Sequence, residues 1–195
     1  VSANAKRIDI NLSMEDEPYI IIFDDGCGMT SKEIEEAMRY GSKNPLDKRN
    51  ENDLGRFGLG LKSASLSQCR KLVVISKKNN KISGYSWDLD YVIENESWTI
   101  IGYSEDELRR FPEIELFDNV KSGTYVLLQK FDRIEESTDD LNKTLIESMN
   151  LAIDHIALVF HRFLEKKLSI YMNNEIIEPR DPFLLNNKAT QIKRT

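Results

Sequence analysis

Cysteine is scarce in this chain. Cys27 and Cys69 are the only two in 195 residues, which argues against a disulfide framework and fits a reduced, cytoplasmic setting. Long apolar runs are missing too. The stretch Ile156 to Phe160 is far short of the roughly 20 residues that span a bilayer, and no secretory signal is visible, so no membrane role is expected. Basic residues do not dominate: 27 Lys and Arg against 33 Asp and Glu leave a net charge of −6, which gives no general affinity for nucleic acid. The local basic stretch from Lys43 to Arg56 reads as a solvated segment rather than a DNA patch. The two histidines, His155 and His161, have no partner at metal-ligand spacing and read as helix residues. Repeats and low-complexity tracts are absent, and so is the Gly-Lys-Ser/Thr ending of a P-loop.

Glycine is sparse but placed. Five of the nine fall in two clusters, Asp24-Asp25-Gly26-Cys27-Gly28-Met29 and Gly55-Arg56-Phe57-Gly58-Leu59-Gly60-Leu61-Lys62. The first follows the apolar run Tyr19–Phe23, the mark of a buried strand, so Asp24 stands at a strand's C-terminal end. A carboxylate there can accept a hydrogen bond from an amine, and the glycines leave room for a flat ring. A plain Asp-Gly turn into a helix near Ser31 explains the same residues equally well. The second cluster opens a helix over Leu59 to Cys69, where unpaired backbone N–H groups and the helix dipole favour an anion. Lys62 and Ser63 add donors in its first turn, making a phosphate cradle; a flexible loop before an ordinary helix is the other reading of so short a pattern.

Taken in this order, the clusters resemble the GHKL ATPase superfamily: gyrase B subunit, heat-shock chaperone, histidine kinase and MutL. Asp24, Gly26 and Gly28 match its Asp-x-Gly-x-Gly motif, and Gly55, Gly58 and Gly60 match Gly-x-x-Gly-x-Gly. Gly123-Thr124, ahead of Tyr125-Val126-Leu127-Leu128, matches the later Gly-Thr that opens a strand. The resemblance covers most of residues 1–130. It implies a two-layer α/β sandwich of the Bergerat type with a mixed, mostly antiparallel sheet, in a domain over residues 1–180. It implies that Asp24 binds the adenine amine of ATP or ADP, that Gly26, Gly28 and Met29 shape the ring pocket, that Thr124 supports Asp24, and that Ala3 lines the pocket. Gly55, Arg56, Phe57, Gly58, Leu59, Gly60, Leu61 and Lys62 would hold the phosphates.

The family's first motif is mostly missing. Ser2-Ala3 aligns with its Asp-Ala, with serine in the aspartate slot, and Arg7 to Leu12 reads as the next strand. The asparagine that helps bind Mg²⁺ and the glutamate that acts as general base are expected just upstream of Val1, so no residue of this chain takes either role. Between the clusters, Gly41 to Leu54 is polar and rich in turn formers. Family members carry a lid here, and Ser42 and Lys43 would touch phosphate oxygens once it closes; a surface loop is the plainer reading.

Further strands are expected at Lys71–Lys77, Lys81–Leu89, Trp98–Tyr103 and Gly123–Phe131. Helices are expected at Ser31–Tyr40, at Glu105–Phe111 and from Thr138 to Leu164, where apolar spacing buries one face. Leu168–Met172 and Glu175–Ile177 read as strands joined by an Asn173-Asn174 turn. Residues 181–195 look like the start of a linker to a further domain.

The long interval from Gly60 to Gly123 and the absence of a phosphoacceptor hairpin separate the chain from histidine kinases. Its second glycine cluster looks closest to the heat-shock and MORC-type versions. The expected function is ATP binding, with hydrolysis and a nucleotide-driven conformational change in the parent protein. A non-hydrolysing nucleotide switch and the ATPase part of a DNA-processing protein remain open beside it. Dimerisation on ATP binding is common to the relatives, and nucleic acid would be reached only through domains beyond Thr195.

Overall fold

Leu72 to Ile75 are all fully buried, although successive strand residues point to opposite faces. Their strand must therefore be covered on both sides. It is β3 (Lys71–Lys78), in a sheet that also contains β1 (Arg7–Ser13), β2 (Tyr19–Asp24), β4 (Lys81–Asp88), β5 (Ile101–Gly102), β6 (Gly123–Gln129), β7 (Ser169–Met172) and β8 (Glu175–Ile176). The computed structural model describes residues 3–15, 17–39, 60–131, 140–184 and 190, without the side chains of residues 60, 62 and 63. Strand order is β5-β4-β3-β6-β2-β1-β7-β8. Among the described strands every pairing is antiparallel except β1 with β7. This is the mixed, mostly antiparallel sheet of an α/β sandwich that the glycine motifs lead one to expect.

One face carries α1 (Ser31–Met38), α2 (Gly60–Leu66), α3 (Leu89–Glu94) and α5 (Leu141–Val159). There Ile34 and Met38 pack with Leu66, Leu72, Val74, Trp87 and Val92. Further along the same face, α5 sets Leu145 against Phe131 and Cys69, and Ala157 against Ile170 and Met172. The opposite face is covered by α4 (Glu105–Leu108) and a 3-10 turn at Ile114–Asn119, whose Leu108 and Phe117 close over Ile21, Phe23, Val73, Ile75, Tyr125 and Leu127. Each such side chain, when fully buried, contributes about 1.5–3 kcal/mol. The Tyr125 hydroxyl donates to the Pro112 carbonyl at 2.9 Å, and burial pushes its pKa far up.

Several boundaries differ from the sequence expectation. The strand expected over Trp98–Tyr103 is only Ile101–Gly102, because the Thr99 N–H turns back to the Ser97 carbonyl at 2.9 Å instead of joining a ladder. Leu89, expected to end β4, instead opens α3, which is capped by the Asp88 carboxylate on the Asp90 N–H at 3.1 Å. The expected helices shorten to Ser31–Met38, Gly60–Leu66 and Glu105–Leu108, and β6 ends at Gln129. The long helix breaks at Phe160 (φ −98°, ψ 10°), so His161 opens a separate short helix, α6 (His161–Leu164). His161 is buried there, its Nδ1–H donating to the Leu158 carbonyl at 2.7 Å. The tail hairpin forms as expected: Asn173 and Asn174 adopt φ of 46° and 67° between β7 and β8, the left-handed pair that a two-residue turn requires. Among the described residues no helix is long and apolar enough to cross a membrane.

Candidate functional site

Strand register brings the site together. Asp24 closes β2 opposite Ile8 of β1 and Thr124 of β6, and Thr124 in turn faces Ser76 of β3. Directly opposed residues share a face, so Asp24, Thr124 and Ser76 make one polar row on the face that carries α1 and α2. The next row on that face is apolar and consists of Ile10, Ile22, Val126 and Val74. Ile22 remains 36% exposed, so this row meets solvent beside Asp24, while Val74 at its far end is fully buried.

The Asp24 carboxylate is half-committed. Its Oδ1 accepts the Gly26 N–H at 2.8 Å, and among the described residues its Oδ2 accepts nothing. Burial pushes its pKa up against the lowering effect of the Gly26 N–H, and the neighbouring Asp25 charge adds to the rise. Asp25 has a different task. Its Oδ1 accepts the backbone N–H groups of Lys6 (2.7 Å) and Arg7 (2.9 Å), tying the turn to the start of β1. Cys27 N–H donates to the Ala3 carbonyl at 2.9 Å, which fixes Ala3 against the same turn.

Two glycines are required by geometry. Gly28 sits at φ +63°, and a Cβ there would fall 2.1 Å from the Lys77 carbonyl oxygen. At Gly123 a Cβ would meet the Asp24 carbonyl oxygen at 2.3 Å, so only glycine lets Thr124 approach Asp24 across the ladder. Side chains lock the turn from above. The Ser122 hydroxyl donates to the Gly26 carbonyl at 2.7 Å, and Met29 N–H donates to Ser76 Oγ at 2.8 Å. Beyond Met29, Thr30 caps α1 in a capping box with Glu33, whose carboxylate also takes the Lys78 ammonium at 2.8 Å. The Lys78 bond, ahead of the Thr30 bonds, holds the Glu33 carboxyl at about 2.

The structure thus gathers Ala3, Asp24, Gly26, Gly28, Met29 and Thr124 around one turn. Gly60 begins α2, and the Leu61 side chain packs into the core beside Ile34. Ser42, Lys43, Gly55, Arg56, Phe57, Gly58 and Leu59 lie outside the described residues, as does the Lys62 side chain. Sequence reasoning missed Ser76, Ser122, Ile22 and Val126. A serine interrupting the buried run of β3 was the one available signal. Among the described residues no group of three or more His, Cys, Asp or Glu could hold a metal ion. Shape alone points elsewhere, to a cavity of about 770 Å³ lined by Glu35, Arg39, Trp87, Trp98, Thr99 and Ile100. Its charged groups, Glu35 and Arg39, are already paired with each other. The row at Asp24 instead offers a carboxylate oxygen that accepts nothing among the described residues, beside an apolar row that meets solvent, the combination a heterocyclic base needs.

Comparison with known proteins identifies the family and the fold. The family model described as histidine kinase-, DNA gyrase B-, and HSP90-like ATPase matches residues 1–124. Among curated proteins, the DNA mismatch repair protein MutL of Rickettsia bellii is 36% identical over 81 residues, covering 41% of this chain and 13% of the relative. MutL of Rickettsia akari is 37% identical over 79 residues, 40% of this chain and again 13% of the relative. The aligned stretch is therefore a small part of those proteins. Two solved structures share the fold: the ATPase and transducer domains of DNA topoisomerase II from Balamuthia mandrillaris (TM-score 0.54, 18% identity, 91% of this chain and 46% of that one), and the ATPase region of Saccharomyces cerevisiae topoisomerase II (TM-score 0.52, 20% identity, 89% and 43%).

Proposed function

Since the chain belongs to the histidine kinase-, DNA gyrase B- and HSP90-like ATPase family, we propose that residues 1–180 form a domain that holds ATP or ADP at the Asp24 turn. One observation carries this reading: among the described residues Asp24 Oδ2 accepts nothing, and it stands beside the exposed Ile22 and the partly buried Val126. The adenine amine would donate to that oxygen, and the ring would lie along these two side chains. The family resemblance supplies the rest. The segment from Gly55 to Lys62 would take the phosphates, and Ser42 and Lys43 would add contacts to their oxygens. Bound Mg²⁺ would neutralise phosphate charge and so favour attack on the terminal phosphate.

The likeness to MutL over 81 residues favours the ATPase part of a DNA-processing protein over the heat-shock and MORC-type branch that the second glycine cluster suggests. In that reading residues 181–195 lead towards a further domain, and ATP binding drives pairing of two copies. Phosphate release by the intact protein with Mg²⁺ and ATP is the test. Turnover lost on Asp24→Asn supports an ATPase, tight ADP binding without turnover supports a switch, and no binding of either nucleotide refutes the assignment.

A further inference from the structure

Ser76 is fully buried, belongs to none of the glycine motifs, and touches three residues of the site at once. Its hydroxyl donates to the Gly123 carbonyl at 2.6 Å, accepts the Met29 N–H at 2.8 Å, and lies 3.1 Å from Thr124 Oγ1. A serine hydroxyl has one proton and two lone pairs. A carbonyl can only accept, so that proton is committed to Gly123. The contact with Thr124 is then possible in one sense only: Thr124 O–H donates to Ser76. Thr124 has no proton left for the pocket and can offer only lone pairs there.

We propose that Ser76 is a positioning residue that makes Thr124 an obligate acceptor, and that the site thereby selects a group bringing two hydrogens. Asp24 Oδ2 and Thr124 Oγ1 are both acceptors on one ladder pair, so they cannot bond each other. A ligand group that bridges them directly must donate twice, as a primary amine does. The 6-amino group of adenine meets that demand, and the 6-oxo group of hypoxanthine or guanine meets neither half of it. The inference rests on the adenine reading above and adds to it the source of base selectivity.

Calorimetry on the intact protein with ADP and with inosine diphosphate separates the two claims. The wild type should prefer ADP by about a hundredfold or more, the loss expected when a charged acceptor faces an oxygen instead of an amine. Ser76→Ala frees the Thr124 proton to turn towards the 6-oxo group, so the ADP preference should drop about tenfold, mainly through tighter inosine diphosphate binding. Ser76→Thr keeps the hydroxyl and should keep the wild-type ratio. Equal losses for both nucleotides in a folded Ser76→Ala protein would mean a merely structural serine and overturn the proposal. Should circular dichroism show Ser76→Ala unfolded, Thr124→Ala decides: it must cost ADP more than inosine diphosphate, and equal costs overturn the proposal. A wild type that binds the two alike, or an Asp24→Asn protein with unaltered ADP affinity, overturns the adenine reading itself.

Discussion

Replacing Asp24 by Asn reverses the hydrogen-bond sense of one atom while preserving the shape of the turn. The amide oxygen can still accept the Gly26 N–H, now 2.8 Å from Oδ1, so the loop should persist. In place of the uncommitted Oδ2 comes an NH₂ donor, which opposes an incoming amine. Loss of a charge-assisted hydrogen bond costs roughly 1.5–3 kcal/mol, equivalent to about a ten- to hundredfold weaker Kd for ADP. Folding should respond in the other direction. Burial holds the Asp24 carboxyl above its ordinary pKa, so between the unfolded and folded values the native state binds more protons than the unfolded chain. Stability therefore falls as pH rises through that window, and at neutral pH the ionised side chain is a liability to the fold. A neutral amide is free of it, and Asp24→Asn should melt at the same or a higher temperature at pH 7. Calorimetry with ADP and thermal unfolding by circular dichroism read the two effects separately. An unchanged Kd in the folded variant refutes the recognition role, and a melting point lowered by several degrees refutes the claim that this carboxylate serves binding at the expense of stability.

Gly28→Ala should cost about 2–4 kcal/mol, combining a left-handed backbone with a Cβ set 2.1 Å from the Lys77 carbonyl oxygen; a urea midpoint corresponding to less than 1 kcal/mol would show that the turn can relax. Glu33 should contribute stability that is fully present above its unfolded value of 4.5 and lost as pH falls through about 2, because its carboxyl is depressed by Lys78 and Thr30. The melting-temperature gap between the wild type and Glu33→Gln should accordingly stay level above pH 5 and vanish near pH 2, and a gap that widens with acid contradicts the pairing.

Local chemistry made much of this molecule legible. The isoleucine run before Asp24, the glycines after it and the Gly-Thr step ahead of β6 each encode their own conformation, so the turn could be placed from the chain alone. The tail hairpin was readable for the same reason, since Asn173 and Asn174 favour the left-handed turn they adopt. Long-range pairing was not readable. Ser76 joins the site because β3 pairs with β6 in one register, and the serine that interrupts the apolar run of residues 71–78 marks the position without revealing its partners. Ile22 looked like one more core residue, and its partial exposure depends on which helices cover the sheet. Helix α3 was hidden because Leu89 to Glu94 continues the apolar pattern of β4 until the Asp88 side chain caps a new element. The break at Phe160 likewise leaves the apolar spacing on either side intact, so periodicity alone joined α5 to α6.

Strand β1 lies between β2, its neighbour in sequence, and β7, which begins at Ser169. On the ribosome the first strand emerges long before its parallel partner exists, and Leu12 N–H must wait for the Asn173 side chain that it binds at 2.8 Å. Until then β1 lacks the partner strand that β7 supplies, a situation that invites wrong partners and chaperone attention. Nucleotide added during translation should therefore do little for the half-made chain: the backbone that anchors the Asp25 clamp is secured on both flanks only after the final hairpin has docked.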